Sequence, residues 1–307
     1  MLVGVGIFTL SVAGYLVSRS VPALVGMRLL TGVGEAFFFT GAASAIADLA
    51  PDERRGEAIS FFSLALWTGI AVGPVVGEVA LGDERFSLVW VVSTAFGILA
   101  GLLALRIRMP RVKAEERVHT RLIHRGALLP GAAILMSVCG AAGFFAFVPL
   151  YSRQLGLTGA RGVFVLFSGI VLAIRFFGAR LPDALGPVRA ARLSLVVSAG
   201  GLTVMGMWRT PTGLFVAVAV YGVGQALAFP ALMSLSLRGT PPGERGAAIA
   251  TFTAMVDVAF GVGPVTLGFV ADGFGYGAVF LVGAAVALVG LALLLTRYPL
   301  RTAEVPG

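Results

Sequence analysis

The sequence predicts an all-α polytopic membrane protein built as two helical bundles, with ten transmembrane helices divided four and six. Three observations predict it. The chain has 307 residues, 58% of them hydrophobic and 12% charged, whereas a soluble domain is nearer a quarter charged. Apolar stretches of 18 residues or more recur along its whole length, each long enough to cross a bilayer. Residues 32–75 are repeated, 190 positions later and without a gap, as residues 222–265, with 16 of 44 positions identical.

The spans are expected at 1–18, 22–49, 57–81, 87–106, 128–152, 162–180, 191–208, 212–237, 246–271 and 277–296. The first is apolar up to Arg19. The second opens after Pro22, and the third follows Arg54-Arg55-Gly56. The fourth runs uncharged from Arg85 to Arg106, and a basic segment separates it from the fifth. Arg153 and Arg161 bracket the gap between the fifth and sixth. Arg189 and Arg192 introduce the seventh, Arg209 the eighth and Arg245 the ninth, and Arg297 closes the tenth. Strict apolar–polar alternation, the mark of a membrane β-barrel, is absent.

The net charge of +8 is explained by its distribution. With residue 1 cytoplasmic, the cytoplasmic loops and C-terminus hold Arg54, Arg55, Arg106, Arg108, Arg111, Lys113, Arg117, Arg121, Arg125, Arg180, Arg189, Arg192, Arg238, Arg245, Arg297 and Arg301. The opposite loops hold only Arg19, Arg85, Arg153, Arg161 and Arg209. This bias sets the orientation, with both termini cytoplasmic in a cell membrane. It needs no nucleic acid to explain it. The lone Cys139 and the two loop histidines, His119 and His124, offer no metal set. The histidines are expected on a solvated surface, and no cofactor is implied.

The organisation follows: residues 1–106 an incomplete N-terminal bundle of four helices, 107–127 a basic cytoplasmic linker, and 128–307 a six-helix bundle. The repeat pairs spans one to four with seven to ten and leaves five and six without counterparts. The simplest reading is a twelve-span protein that lacks its first two spans here. Internal repeats in an apolar chain mark secondary transporters made of two related halves.

Three local patterns carry a family resemblance. Arg28-Leu-Leu-Thr-Gly32-Val-Gly34-Glu35-Ala36 is an Arg followed by small residues. Gly69-Ile-Ala-Val-Gly73-Pro74-Val-Val-Gly77-Glu78 spaces glycines by four. Gly178-Ala-Arg180-Leu-Pro-Asp183-Ala-Leu-Gly186-Pro-Val-Arg189 is a basic loop. Over nearly its whole length the chain resembles spans three to twelve of the major facilitator superfamily. The first pattern looks like that family's fourth-helix motif and the second like the fifth-helix motif of its proton-driven exporters, where a Gly usually stands at the position of Glu78. The third looks like its cytoplasmic gating loop. The resemblance implies a proton-coupled exporter of small amphipathic molecules, monomeric in the lipid bilayer, with the substrate and protons as its partners.

Site candidates divide accordingly. Ionisable groups inside spans are costly and therefore functional by default. Arg28 and Glu35 are seven residues apart on one helix face, about 10 Å along the axis. Both side chains lean toward the N-terminus, so they do not pair comfortably. Resemblance gives Arg28 an acid of the missing first helix as partner. Glu35, its repeat counterpart Gln225, and Asp257, whose counterpart is Trp67, are candidates for proton carriage or substrate contact. Tyr221, Phe144 and Phe147 are candidates for an apolar cavity wall. Gly69, Gly73 and Gly77 line one helix face, where small residues permit close approach in lipid, and Pro74 bends the span; together they are expected at the seam between halves. Gly178, Asp183, Gly186 and Arg189 would form a cytoplasmic latch by resemblance. Proton-coupled uptake of a metabolite or sugar is the alternative. So is a truncated chain that does not transport alone. No clustered catalytic groups and no nucleotide-binding loop argue for an enzyme or an ATP-driven pump.

Overall fold

The computed structural model describes residues 1–49, 55–82, 85–107, 123–178, 184–241 and 244–298. Ten helices are assigned among them: α1 (Leu2–Gly14), α2 (Val21–Leu49), α3 (Arg55–Leu81), α4 (Phe86–Leu105), α5 (Arg125–Gln154), α6 (Arg161–Phe177), α7 (Pro187–Met207), α8 (Pro211–Leu237), α9 (Arg245–Phe274) and α10 (Tyr276–Arg297). Eight are long and apolar enough to cross a membrane, all but α1 and α6. Helix α1 is 13 residues long and stops at Gly14, short of the expected span to residue 18. There the Ser18 hydroxyl donates to the Gly14 carbonyl at 2.8 Å and closes the end as a turn. Helix α6 has 17 residues and ends at the Gly178 C-cap.

The chain divides into two compact units, Met1–Glu116 and Arg117–Gly307. In the first, α1 packs on α2 and α4, and α3 touches α2 and α4. In the second, α7 packs on α8 and α10, and α9 touches α8 and α10. Shifted by 190 residues, these are the same pairings. The second unit adds α5, packed on α8, α9 and α10, and α6, packed on α8.

The repeat holds at single residues. A Cβ on Gly34 would collide with the backbone of Phe8 and stand 2.9 Å from the Gly4 carbonyl oxygen. A Cβ on Gly224 would stand 2.6 Å from the Ser198 nitrogen and 2.9 Å from the Ser194 carbonyl oxygen. Each partner is offset by 190. Likewise the Ser11 and Thr31 hydroxyls hydrogen-bond at 3.0 Å, while their counterparts Gly201 and Tyr221 cross so closely that a Cβ on Gly201 would sit 2.6 Å from the Tyr221 nitrogen. Without a hydrophobic force between helices in lipid, close backbone approach through small residues is what holds such a crossing.

Helix α5 fills the interior of the second unit. Ala133, Ile134 and Val138 join Leu195, Ala231, Leu232, Phe252 and Leu294 in one buried cluster. Pro130 and Pro149 lie inside α5, Pro74 in α3, Pro230 in α8 and Pro264 in α9. Each removes one backbone hydrogen bond and permits a bend. Pro74 and Pro264 are repeat counterparts.

Candidate functional site

In the first unit, α2 turns Thr31 and Gly34 into the α1 contact, and both are buried. Arg28 and Glu35 stand on its exposed side. In the second unit α5 covers the counterpart face of α8. Val218, the counterpart of Arg28, is fully buried. Gln225, the counterpart of Glu35, donates to the Ser137 hydroxyl on α5 at 3.2 Å and lies 3.4 Å from the Ser198 hydroxyl on α7. This three-helix polar knot ties α5, α7 and α8 together at mid-span. Arg28 and Glu35 thus face the direction in which the second unit carries α5. No described helix of the first unit occupies that direction.

The glycine face of α3 behaves the same way. Among the described residues, nothing lies within 4 Å of a Cβ built on Gly69, Gly73 or Gly77. Their counterparts on α9 are Ala259, Gly263 and Leu267, all buried. A Cβ on Gly263 would stand 3.2 Å from the Ala142 Cβ and 3.6 Å from the Cys139 Cα, both on α5. In the copy that can be compared, this face packs inside its own unit against α5. Pro74 is half-buried beside Gly73.

Asp257 is different. It lies near the middle of the 30-residue α9 and is exposed, although α5 and α10 already pack on that helix. The packed face of α9 carries Ala248, Thr251, Phe252, Ala259, Gly263 and Leu267, and Asp257 points away from it. No hydrogen bond or ion pair engages it among the described residues. A carboxylate at mid-membrane depth cannot face hydrocarbon cheaply, so such a face belongs to water, protein or ligand. The backbone of Trp67 lies in α3, and its side chain is outside the described residues.

The aromatic candidates lie deeper. Phe144 and Tyr221 are fully buried. Their rings are 5.4 Å apart, and Phe167 lies 5.0 Å from Phe144. The Tyr221 hydroxyl is buried without a hydrogen-bond partner among the described residues. Phe147, half-buried, sits 6.2 Å from the Tyr276 ring. Phe144 and Tyr221 therefore cement α5, α6 and α8, and of the three only Phe147 is near a surface.

Of the latch candidates, Gly178 caps α6. Gly186 precedes α7 with φ +76°, a left-handed conformation that favours glycine. Arg189 is exposed in the first turn of α7, and Asp183 is outside the described residues. Nearby, Arg192 donates to the Tyr298 carbonyl and ties the end of α10 to α7.

One polar contact escaped sequence reasoning. His124, expected on a solvated surface, ends the linker as the N-cap of α5. Its backbone N–H donates to the Thr251 hydroxyl at 2.9 Å, and its Nε2 lies 3.2 Å from Glu244 Oε2, with the imidazole only 16% exposed. Thr251 and Glu244 lie more than a hundred residues away, and no local pattern announces the pairing.

Comparison with known proteins agrees with this architecture. The Major Facilitator Superfamily family model matches residues 1–238 and again 163–307. An uncharacterized MFS-type transporter of Salmonella typhimurium is 31% identical over 287 residues, covering 91% of this chain and 73% of the relative. A counterpart in Burkholderia mallei is 28% identical over 293 residues, covering 94% and 71%. Among solved structures, a bacterial homolog of the human lysosomal transporter Spinster, inward-facing and occupied, superposes with a TM-score of 0.78 at 14% identity, covering 99% of this chain and 83% of that one. The human organic anion transporter MFSD10 gives 0.66 at 18% identity, covering 95% and 76%. At these identities the structures speak to fold alone, while the family model and the Salmonella relative establish kinship: the chain belongs to the Major Facilitator Superfamily and is a multi-pass membrane transporter.

Proposed function

We propose that the protein is a proton antiporter that exports small amphipathic molecules by alternating access. It works as a monomer in the cell membrane, with both termini cytoplasmic. The observation that carries this reading is Asp257, an acid at mid-span on an open helix face. Protonation of a carboxylate at that depth changes its solvation strongly and so biases the equilibrium between two transporter states. In this reading Asp257 exchanges proton for substrate. Glu35 and Arg28 serve as a second acid and its neighbouring cation on the first unit. Gln225 holds the counterpart position as a hydrogen-bonded strut that does not titrate. Phe147 contributes apolar wall on the second unit, with Phe144 and Tyr221 fixing the helices behind it, and Trp67 serves the first unit in the same role. The Asp183–Arg189 loop serves as the latch. Export, rather than uptake, is supported by the likeness of Gly69-Gly73-Pro74-Gly77 to the fifth-helix motif of exporters.

A second reading is favoured by one observation. Among the described residues of the first unit, Arg28 and Glu35 are exposed and nothing packs on Gly69, Gly73 or Gly77, whereas the counterpart faces in the second unit are covered by α5. On that reading residues 1–307 fold but move no substrate alone. Proton release on substrate binding tests the first reading. Purified protein in weakly buffered detergent is titrated with a panel of amphipathic cations and anions. Exchange predicts about one proton released per bound molecule, and none from Asp257→Asn. Binding without any proton release sinks the antiport reading.

A further inference from the structure

A cleft of about 770 Å³ opens at the end of the second unit where α7 and α9 begin and α8 ends. It is lined by Pro187, Pro230, Met233, Ser234, Leu237, Arg238 and Arg245. Its walls are apolar and its rim carries two guanidinium groups. From Pro230 to Leu237 the wall descends seven residues along α8, about 10 Å. Both arginines are exposed, and neither makes an ion pair among the described residues.

The repeat shows how the charges at this end are placed. The counterparts of Arg238, Glu244 and Arg245 are Asp48, Arg54 and Arg55, so each copy carries two arginines and one acid at these positions. In the second copy the two arginines line the cleft while the acid, Glu244, lies beside His124, and Pro230 stands where the first copy has Thr40. Two like charges on one cleft repel each other unless an anion lies between them. The start of α9 adds to the positive field. Its N-cap, Glu244, makes no capping hydrogen bond, and its carboxylate lies 3.2 Å from His124 Nε2. The first amides of α9 and its dipole therefore remain available to an anion. Among the described residues, a Cβ built on Gly246 meets nothing within 4 Å.

We propose that this cleft binds one anionic phospholipid, its phosphate between Arg238, Arg245 and the α9 N-terminus, and an acyl chain along Leu237, Met233 and Pro230. Arginine suits the phosphate because its planar fork holds two oxygens at once. The apolar wall below suits a chain already lying in the membrane. A free phosphate would satisfy the rim and leave the wall bare. The proposal rests on the membrane-spanning fold and is independent of transport direction or coupling.

Native mass spectrometry of the whole chain in detergent supplemented with phosphatidylglycerol tests it. Phosphatidylcholine and inorganic phosphate serve as the other ligands. Phosphatidylglycerol should bind as one resolved adduct at least about 10-fold more tightly than phosphatidylcholine, and inorganic phosphate should not displace it. The R238Q/R245Q variant should lose about 10-fold in that affinity. The control R106Q/R297Q, which removes the same charge elsewhere, should keep it. Ser234→Trp, which fills the cleft without altering charge, should also weaken it, and decides the matter if the double variant does not fold. Full affinity in R238Q/R245Q or Ser234→Trp, or equal loss in the control, would overturn the proposal. So would displacement by inorganic phosphate, or equal binding of the two lipids.

Discussion

Gly34 and Gly224 occupy one position in two copies of the same helix crossing. Gly34 presses α2 onto Gly4 and Phe8 of α1, and Gly224 presses α8 onto Ser194 and Ser198 of α7. All four partners obey the 190-residue offset that relates the glycines themselves. Adding a methyl group at either position forces two backbones apart. Gly34→Ala and Gly224→Ala should each destabilise the protein by about 1–3 kcal/mol. Thermal unfolding followed by tryptophan fluorescence in detergent checks this, and a neutral result at both positions would remove the crossing from the account.

The paired prolines and glycines of α3 and α9 should respond unequally. A Cβ on Gly263 meets α5, whereas one on Gly73 meets nothing. Gly263→Val should therefore lower stability by about 1–3 kcal/mol through overpacking. Gly73→Ala should be neutral or slightly stabilising, because alanine is the better helix former by up to about 1 kcal/mol. Unfolding of the two variants side by side makes the comparison. Equal losses would mean that a helix also covers the Gly73 face.

The Gln225 knot should be worth modest stability. Removing the amide in Gln225→Leu deletes its bonds to Ser137 and Ser198. Hydrogen bonds between membrane helices average about 0.6 kcal/mol each, so a loss of about 1 kcal/mol is expected. Gln225→Glu should keep the shape and make unfolding pH-dependent, which melting curves at several pH values would reveal.

Asp257 and Glu35 should behave as functional rather than structural groups. Both are exposed and make no hydrogen bond or ion pair among the described residues. Asp257→Asn and Glu35→Gln should change stability by less than about 0.5 kcal/mol and yet lose proton-coupled activity. A large stability loss in either would recast that acid as an interhelical contact.

Much of this was legible in the sequence, for identifiable reasons. A helix must satisfy its own backbone in lipid, so each span writes its length and apolarity into a continuous stretch. The repeat was visible because Pro, Arg and Gly at fixed offsets are hard to match by chance. The knot of Ser137, Ser198 and Gln225 was not visible. Its members lie on three helices, and a lone serine in an apolar helix looks the same whether it bonds a neighbour or its own backbone. His124 illustrates the same limit, since its partners Glu244 and Thr251 come from another helix. Phe144 and Tyr221 show a further one. Aromatic residues in a span read alike whether they line a cavity or fill a core, and only packing distinguishes Tyr221, fully buried, from Phe147. The glycine face of α3 was expected between bundles, while its counterpart on α9 packs on α5, a relation only coordinates reveal.

The most direct test of the central claim is flux. Protein reconstituted in liposomes, under an imposed pH gradient with the lumen acidic, should accumulate an amphipathic substrate identified by the proton-release panel. Accumulation should collapse when the gradient is dissipated and fall to background in Asp257→Asn. Accumulation that persists without a gradient, or that survives in Asp257→Asn, would contradict proton antiport through this acid.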